Sequence, residues 1–436
     1  MSTSLGWRLR WRLSLLWLLE WGITGALLTY LPLYFTHHDI PLEETGPLLA
    51  VGAVGLWIAP IVTGQICDRW MNIERYLSMA HLLGGITLLI IPIAVEAHWK
   101  SSIPWLLGLY AALYLPTMPL ASALTFRHLP HPDLQFGSVR VWGTIGWVLA
   151  GVGLSVWLQW PDAQHWLRDT VPMTEKVVLK IDQLFRQFPG PSGDDAFHIA
   201  AILSFILSSF CVFLPPTPPA RTVQGGFAPL AVLRLFGDRV MIVLAVFSFL
   251  LGMVIPLYSL AVPALLEQQH FHHDWVPAVM TIGQISEFPA LLLLPVILRR
   301  FGLRGTFMLG IAAWTLRYVL FALDPPVVVT LFGVALHGVC HVFVIIVIQL
   351  YLDAHCPPDR KASAQNLFAF LTLGVAMPIG LLLSRPLVQA SKDSTGDVVQ
   401  FSRVFGVPAL LLGILMLLYW LVMPRVQQDL AEQRGP

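Results

Sequence analysis

Glu287 is the residue whose position most needs a chemical reason. It ends the stretch Thr281-Ile-Gly-Gln284-Ile-Ser-Glu287, about midway along an apolar run. An ionisable group there costs several kcal/mol unless it is paired or meets water, so it marks a functional site by default. Gln284, three residues earlier, shares its helix face. The two together supply a proton carrier and a directional amide. The plainer alternative is a polar clamp between packed helices.

Arg140 and Thr144 are four apart in Ser138-Val-Arg140-Val-Trp-Gly143-Thr144-Ile-Gly146 and present a cation and a hydroxyl to one side. The alternative for Arg140 is a side chain snorkelling to the membrane boundary. His337 and His341 have the same spacing. They could relay protons or touch substrate, or simply hydrogen-bond across helices; metal binding is disfavoured because no third ligand stands nearby. Glu20, on one face with Thr24, and Arg317 are also intramembrane charges, and an internal Glu–Arg pair locking two helices is expected for them in preference to substrate contact. The segment His270-Phe-His272-His273-Asp274 has a metal-like composition but lies in a short external loop and reads as solvated. Cys67, Cys211, Cys340 and Cys356 are scattered without CxxC pairing, which indicates neither a disulfide framework nor a zinc site. No metal or cofactor is therefore expected.

The elements that must position these residues follow from composition. Of 436 residues, 12% are charged and 56% are apolar, with a mean hydropathy of +0.71. Soluble domains carry about 25% charge, so a soluble enzyme is excluded. A spanning helix takes about 20 residues, which allows on the order of a dozen. A net charge of +1 leaves no basic surface for nucleic acid. Runs of this length are helices, because lipid leaves backbone groups no partner outside their own segment. Twelve spans are predicted, near 13–35, 44–65, 76–95, 103–125, 138–159 and 197–215, then 238–263, 275–298, 305–323, 327–351, 362–384 and 403–424. The first begins after Arg8, Arg10 and Arg12 and lacks a small-residue cleavage site, so it is read as retained.

The Pro-rich segment 216–236 divides the chain into six-span bundles at 1–215 and 237–425, followed by a tail at 426–436. Pro60 to Arg69 and Pro295 to Arg304 echo each other at matching places in the two halves, an organisation typical of secondary transporters. Of the 26 Lys and Arg residues, seventeen fall on the side of the N-terminus, eight on the other, and Arg317 lies within a span. This bias predicts cytoplasmic N- and C-termini.

Gly64-Gln-Ile-Cys-Asp68-Arg69-Trp70 resembles a shortened loop motif of the major facilitator superfamily, in which the Asp and basic residues form a cytoplasmic charge latch. Four further stretches resemble the nucleoside:proton symporter family of that superfamily, in its order and spacing: Arg140 to Gly146, Gln284 to Glu287, Ala313 to Ala322, and Ala362-Ser-Ala-Gln365. The resemblance runs essentially from end to end. It implies an all-α membrane protein of two six-helix pseudo-symmetric halves, a bacterial inner-membrane importer of nucleosides driven by the proton gradient. Arg140, Thr144, Gln284 and Glu287 match the family's substrate contacts. Two departures stand out. Pro256-Leu-Tyr258-Ser259 replaces polar amides of the seventh helix, and His337, His341 and Val342 stand where the tenth helix of the family has Tyr, an aromatic and Asp.

The expected activity is proton symport by alternating access. Arg140, Thr144, Gln284, Glu287, Tyr258 and Ser259 are expected at substrate, Glu287, His337 and His341 as proton carriers, and Asp68, Arg69, Glu20 and Arg317 as gating or structural charges. A monomer is the expected state. The alternatives are a symporter of a sugar, glycoside or other small polar solute, a membrane-embedded enzyme, and a transporter-like sensor. An enzyme would need a carboxylate or metal cluster, and the aspartates of loop 160–196 show no ligand spacing.

Overall fold

The computed structural model describes residues 6–58, 63–160, 190–219, 239–355, 368–396 and 398–423. Most of the predicted central loop, most of the outer loop, the C-terminal tail and the Ala362–Gln365 motif lie outside the described residues. Among those described, the secondary structure is helical apart from one isolated bridge between Lys392 and Val399.

Ten helical stretches are long and apolar enough to cross a membrane. The first, Trp7–His37, breaks after Leu27 and resumes at Leu31, with Pro32 in its opening turn. The longest, His273–Ala322, makes two passes, because Gly302 adopts φ 64°, ψ −177° and turns the chain back. Three contacts establish the reversal. The backbone N–H of Ala278 meets Ser155 Oγ at one end of the molecule. Arg304 binds the Trp420 carbonyl near the last residue of the final helix. Pro325 then returns to accept from Gln269 at the first end. Only a residue without Cβ adopts that pair of angles at little cost. The predicted second span appears as Leu42–Ala50, Ala53–Ile58 and Gly64–Arg69, each too short to cross alone.

Many outward faces are apolar: Trp105, Leu292 and Val328 are each at least three-quarters exposed. The interior by contrast holds Glu20, His81 and Arg317, all essentially inaccessible. A soluble protein shows the reverse, so the molecule is turned outward to lipid.

We call the end holding residues 37–43, 159 and 267–275 apical, and the end holding Trp7 and Met423 basal. The first half of the chain (to residue 219) and the second (from 239) meet apically through several polar contacts. His37 Nε2 is 2.6 Å from Glu267 Oε1, Lys392 Nζ donates to Glu43 Oε1 at 2.5 Å, and the Gln159 amide donates to Asp274 at 3.0 Å. At mid-depth, Trp57 Nε1 donates to the Gly374 carbonyl at 2.6 Å. The described polar contacts between the halves thus gather at the apical end, which is closed.

Candidate functional site

Below that closure lies a cavity of about 250 Å³ walled by both halves. Helices Trp7–Leu27 and Pro132–Leu158 supply one wall and pack so closely that a Cβ on Gly146 would overlap the Leu18 carbonyl. This approach brings Trp21 and Trp147 into contact, with ring centroids 5.8 Å apart. It also seats the Arg140 guanidinium over Trp17 at 4.8 Å and over Trp21 at 4.2 Å. Cation–π contacts of this kind hold a guanidinium without a carboxylate. Thr144, one turn on, faces the same cavity.

The opposite wall is built around a helix break. The helix Val276–Ile285 ends at Ser286 and a new one starts at Glu287. Ser286 Oγ donates to the Gly283 carbonyl at 2.6 Å and accepts from the Gly338 N–H at 2.9 Å. A side chain at Gly338 would strike the Ser286 backbone, so glycine is what lets the two helices touch here. His337 and His341 flank that glycine and reach Glu287. His341 Nδ1 is 3.4 Å from Glu287 Oε1, and His337 Nε2 is 3.7 Å from the same oxygen. The two imidazoles are parallel within 7°. The turn that follows, Val342–Ile346, is π-helical, a local irregularity often found at functional sites.

All eight residues expected at substrate or as proton carriers line this one cavity: Arg140, Thr144, Tyr258, Ser259, Gln284, Glu287, His337 and His341. Tyr258 and Ser259 reach it because the seventh span restarts at Pro256. Trp21 Nε1, Trp147 Nε1 and Gln284 Oε1, on residues that line the cavity, are buried without a protein hydrogen-bond partner. Buried polar atoms are nearly always satisfied, so these three are open to a polar guest or to water.

The expected Glu20–Arg317 lock is not formed. Glu20 accepts from Thr117 Oγ1 at 2.5 Å, and its second oxygen lies 3.0 Å from His81 Nε2, too poorly aligned for a hydrogen bond. Tyr114 Oη binds both the Glu20 carbonyl and Thr24. Arg317 lies instead in the second half, 3.4 Å over the Tyr258 ring, with Nη1 3.3 Å from His337 Nδ1. The two charges sit in different bundles, each with local partners, so no helix-to-helix ion pair joins them. Arg69 is exposed at the end of its helix, and the side chain of Asp68 lies outside the described residues.

Trp21, Trp147, Leu28, Thr29 and Met280 also line the cavity and were not singled out by the sequence. For the tryptophans a signal existed. Gly22 with Gly25, and Gly143 with Gly146, put small residues one turn apart on both helices, and such spacing lets helices cross closely.

The helical bundle, its lipid-facing exterior and a polar cavity between its halves define a membrane transporter of the major facilitator fold. The chain matches the nucleoside H+ symporter family over residues 7–165 and 193–428, and it belongs to that family. It is 25% identical to the putative nucleoside transporter YegT of Escherichia coli (strain K12) over 425 residues, covering 94% of this chain and 92% of that one. Nucleoside permease NupG of the same organism is 25% identical over 409 residues, 87% of this chain and 88% of the permease. A crystal structure of a mutant of the nucleoside transporter NupG superposes with a TM-score of 0.79 at 22% identity, covering 95% of this chain and all of that one, a likeness of fold.

Proposed function

We propose that this protein imports nucleosides together with protons by alternating access, holding substrate between Arg140 and Thr144 on one half and Gln284, Glu287, Tyr258 and Ser259 on the other. The observation that carries this reading is a cavity with unsatisfied polar atoms beside aromatic walls. Ribose hydroxyls and base edges offer complementary donors and acceptors, and Trp21 and Trp147 offer faces on which a base can stack. At about 250 Å³ the cavity lies just below the roughly 300–1,000 Å³ usual for small-molecule clefts, a size suited to a single nucleoside.

Glu287 is the first proton carrier in this proposal. His341 and His337 share its charge, replacing the acidic group that the family pattern places on the tenth helix. Twelve passes follow if the Gly302 reversal and the segmented second span each add one to the ten stretches. Cytoplasmic termini then put the basal end inside, and the apical closure supports reading this as the inward-facing state. The protein works as a monomer in a bacterial inner membrane, driven by the proton gradient without a resident cofactor. Asp68 and Arg69 latch its basal face.

Uptake of labelled uridine and adenosine into proteoliposomes, with and without an inward proton gradient, tests the reading. Gradient-dependent accumulation above equilibrium is expected, blocked by excess nucleoside. Block by excess sugar instead would overturn the substrate assignment in favour of a glycoside.

A further inference from the structure

The apical loop that reads as solvated in the sequence is folded into a convergent donor set. Among His272, His273 and Asp274, one ligand atom from each lies within 4.8 Å of the others. His273 Nε2 is 3.0 Å from Asp274 Oδ1, and His272 Nδ1 is 3.5 Å from Asp274 Oδ2. Gln159, from the other half and largely buried, points into this set: its Nε2 lies 2.8 Å from His272 Nδ1 and 3.0 Å from Asp274 Oδ2. The amide N–H2 group therefore sits where an imidazole nitrogen and a carboxylate oxygen both present lone pairs. A half-turn of the Gln159 amide would place Oε1 there and complete a set of two nitrogens and two oxygens. His37, also from the first half, packs edge-on against His273 with ring centroids 5.1 Å apart.

We propose that these residues form an apical binding site for a divalent transition ion of the Zn²⁺ type, and that the ion locks the transporter with its apical end closed. Imidazole with carboxylate is borderline-soft ligand chemistry that suits Zn²⁺ rather than Ca²⁺ or Mg²⁺. Tetrahedral ligands each about 2.1 Å from one ion lie about 3.4 Å apart, so ligand atoms spread within 4.8 Å need to close by up to about 1.4 Å. The set spans both halves: Gln159 belongs to one, and His272, His273 and Asp274 to the other. Bound ion favours the state in which the four meet, and a ligand shifts a conformational equilibrium by its difference in affinity for the two states. The substrate cavity contributes nothing to this site. The inhibitory consequence rests on the alternating-access reading, whereas the binding itself does not.

The test is calorimetric titration of the purified full-length protein with ZnCl2, paired with spin-label distances between exposed apical positions Lys100 and Ser394. One ion per chain is expected, with affinity falling about tenfold or more in Q159A and in H273A. H98A, an exposed apical histidine outside the set, should bind as the parent does. Zn²⁺ should also narrow the distance distribution to its short, apically closed component. Unchanged affinity in Q159A and H273A would overturn the site, and binding that leaves the distances unmoved would overturn the lock. Neither readout uses a nucleoside, so failure of nucleoside uptake would leave both results standing.

Discussion

His341 and Glu287 meet from different helices, Nδ1 to Oε1 at 3.4 Å, at the wall of a cavity that both halves of the chain enclose. In the proposed mechanism one proton rests on the carboxylate or passes to the imidazole without leaving the site. Removing the carboxylate should separate binding from coupling. In E287Q, exchange of labelled nucleoside across proteoliposomes should persist, while accumulation above equilibrium under a proton gradient should cease. Retained uphill uptake would take Glu287 out of the mechanism.

The histidines are a distinct case. In H337Q/H341Q the carboxylate keeps its place at the helix break but loses both neighbouring imidazoles. The pH dependence of uptake should change shape while the folded yield stays level. A profile that overlays the parent's would assign proton handling to Glu287 alone.

Arg140 lies over two indole rings, and lysine does not reproduce a planar guanidinium in such contacts. Each such contact contributes about 0.5–2 kcal/mol. R140K should therefore weaken nucleoside binding by roughly two- to thirtyfold. Titration by intrinsic tryptophan fluorescence would read it directly, since Trp21 belongs to the same stack.

Glu20 tests the opposite expectation, a charge that serves architecture. Truncation in E20A removes the acceptor of the buried Thr117 hydrogen bond and the carboxylate that sits beside His81. Losing a hydrogen bond to a charged group costs about 1.5–3 kcal/mol. A clear drop in Tm should accompany unchanged substrate affinity per folded molecule. A loss of affinity at parental Tm would move Glu20 into the transport machinery.

At the apical end, Lys392 and Glu43 join the halves in a partly shielded pair. A pair of that kind contributes up to about 1 kcal/mol, which is about fivefold in a two-state equilibrium. K392M should raise the labelling rate of a cysteine placed at Thr144 by an apically supplied, membrane-impermeant thiol reagent by up to about that factor. No change would mean that the other apical contacts carry the closure.

Much of the site is legible in the amino-acid sequence, because a charge or amide inside an apolar run has few reasons to be there. Arg140, Thr144, Gln284, Glu287, His337 and His341 stand out on that ground and share one cavity. Tryptophan carries no such contrast: sixteen are spread along the chain, and Trp21 and Trp147 become visible only through the glycines that draw their helices together. Pairing is less legible still. Glu20 meets Thr117 of the fourth span and lies beside His81 of the third, contacts set by packing that one-dimensional spacing does not encode. The reversal at Gly302, by contrast, falls between the predicted spans 275–298 and 305–323, where Arg299, Arg300 and Arg304 interrupt the apolar run and a glycine supplies the non-helical angle.

The hydroxyl of Ser286 ties the Glu287 helix to the helix of His337 and His341, and all three titratable groups lie on the same side of the molecule's central divide. When the halves rock, that trio travels as luggage packed together, its internal spacing preserved. Arg140, on the other half, is what it leaves behind. Rocking therefore changes the separation between the Glu287 carboxylate and the Arg140 guanidinium while the distances within the trio stay fixed.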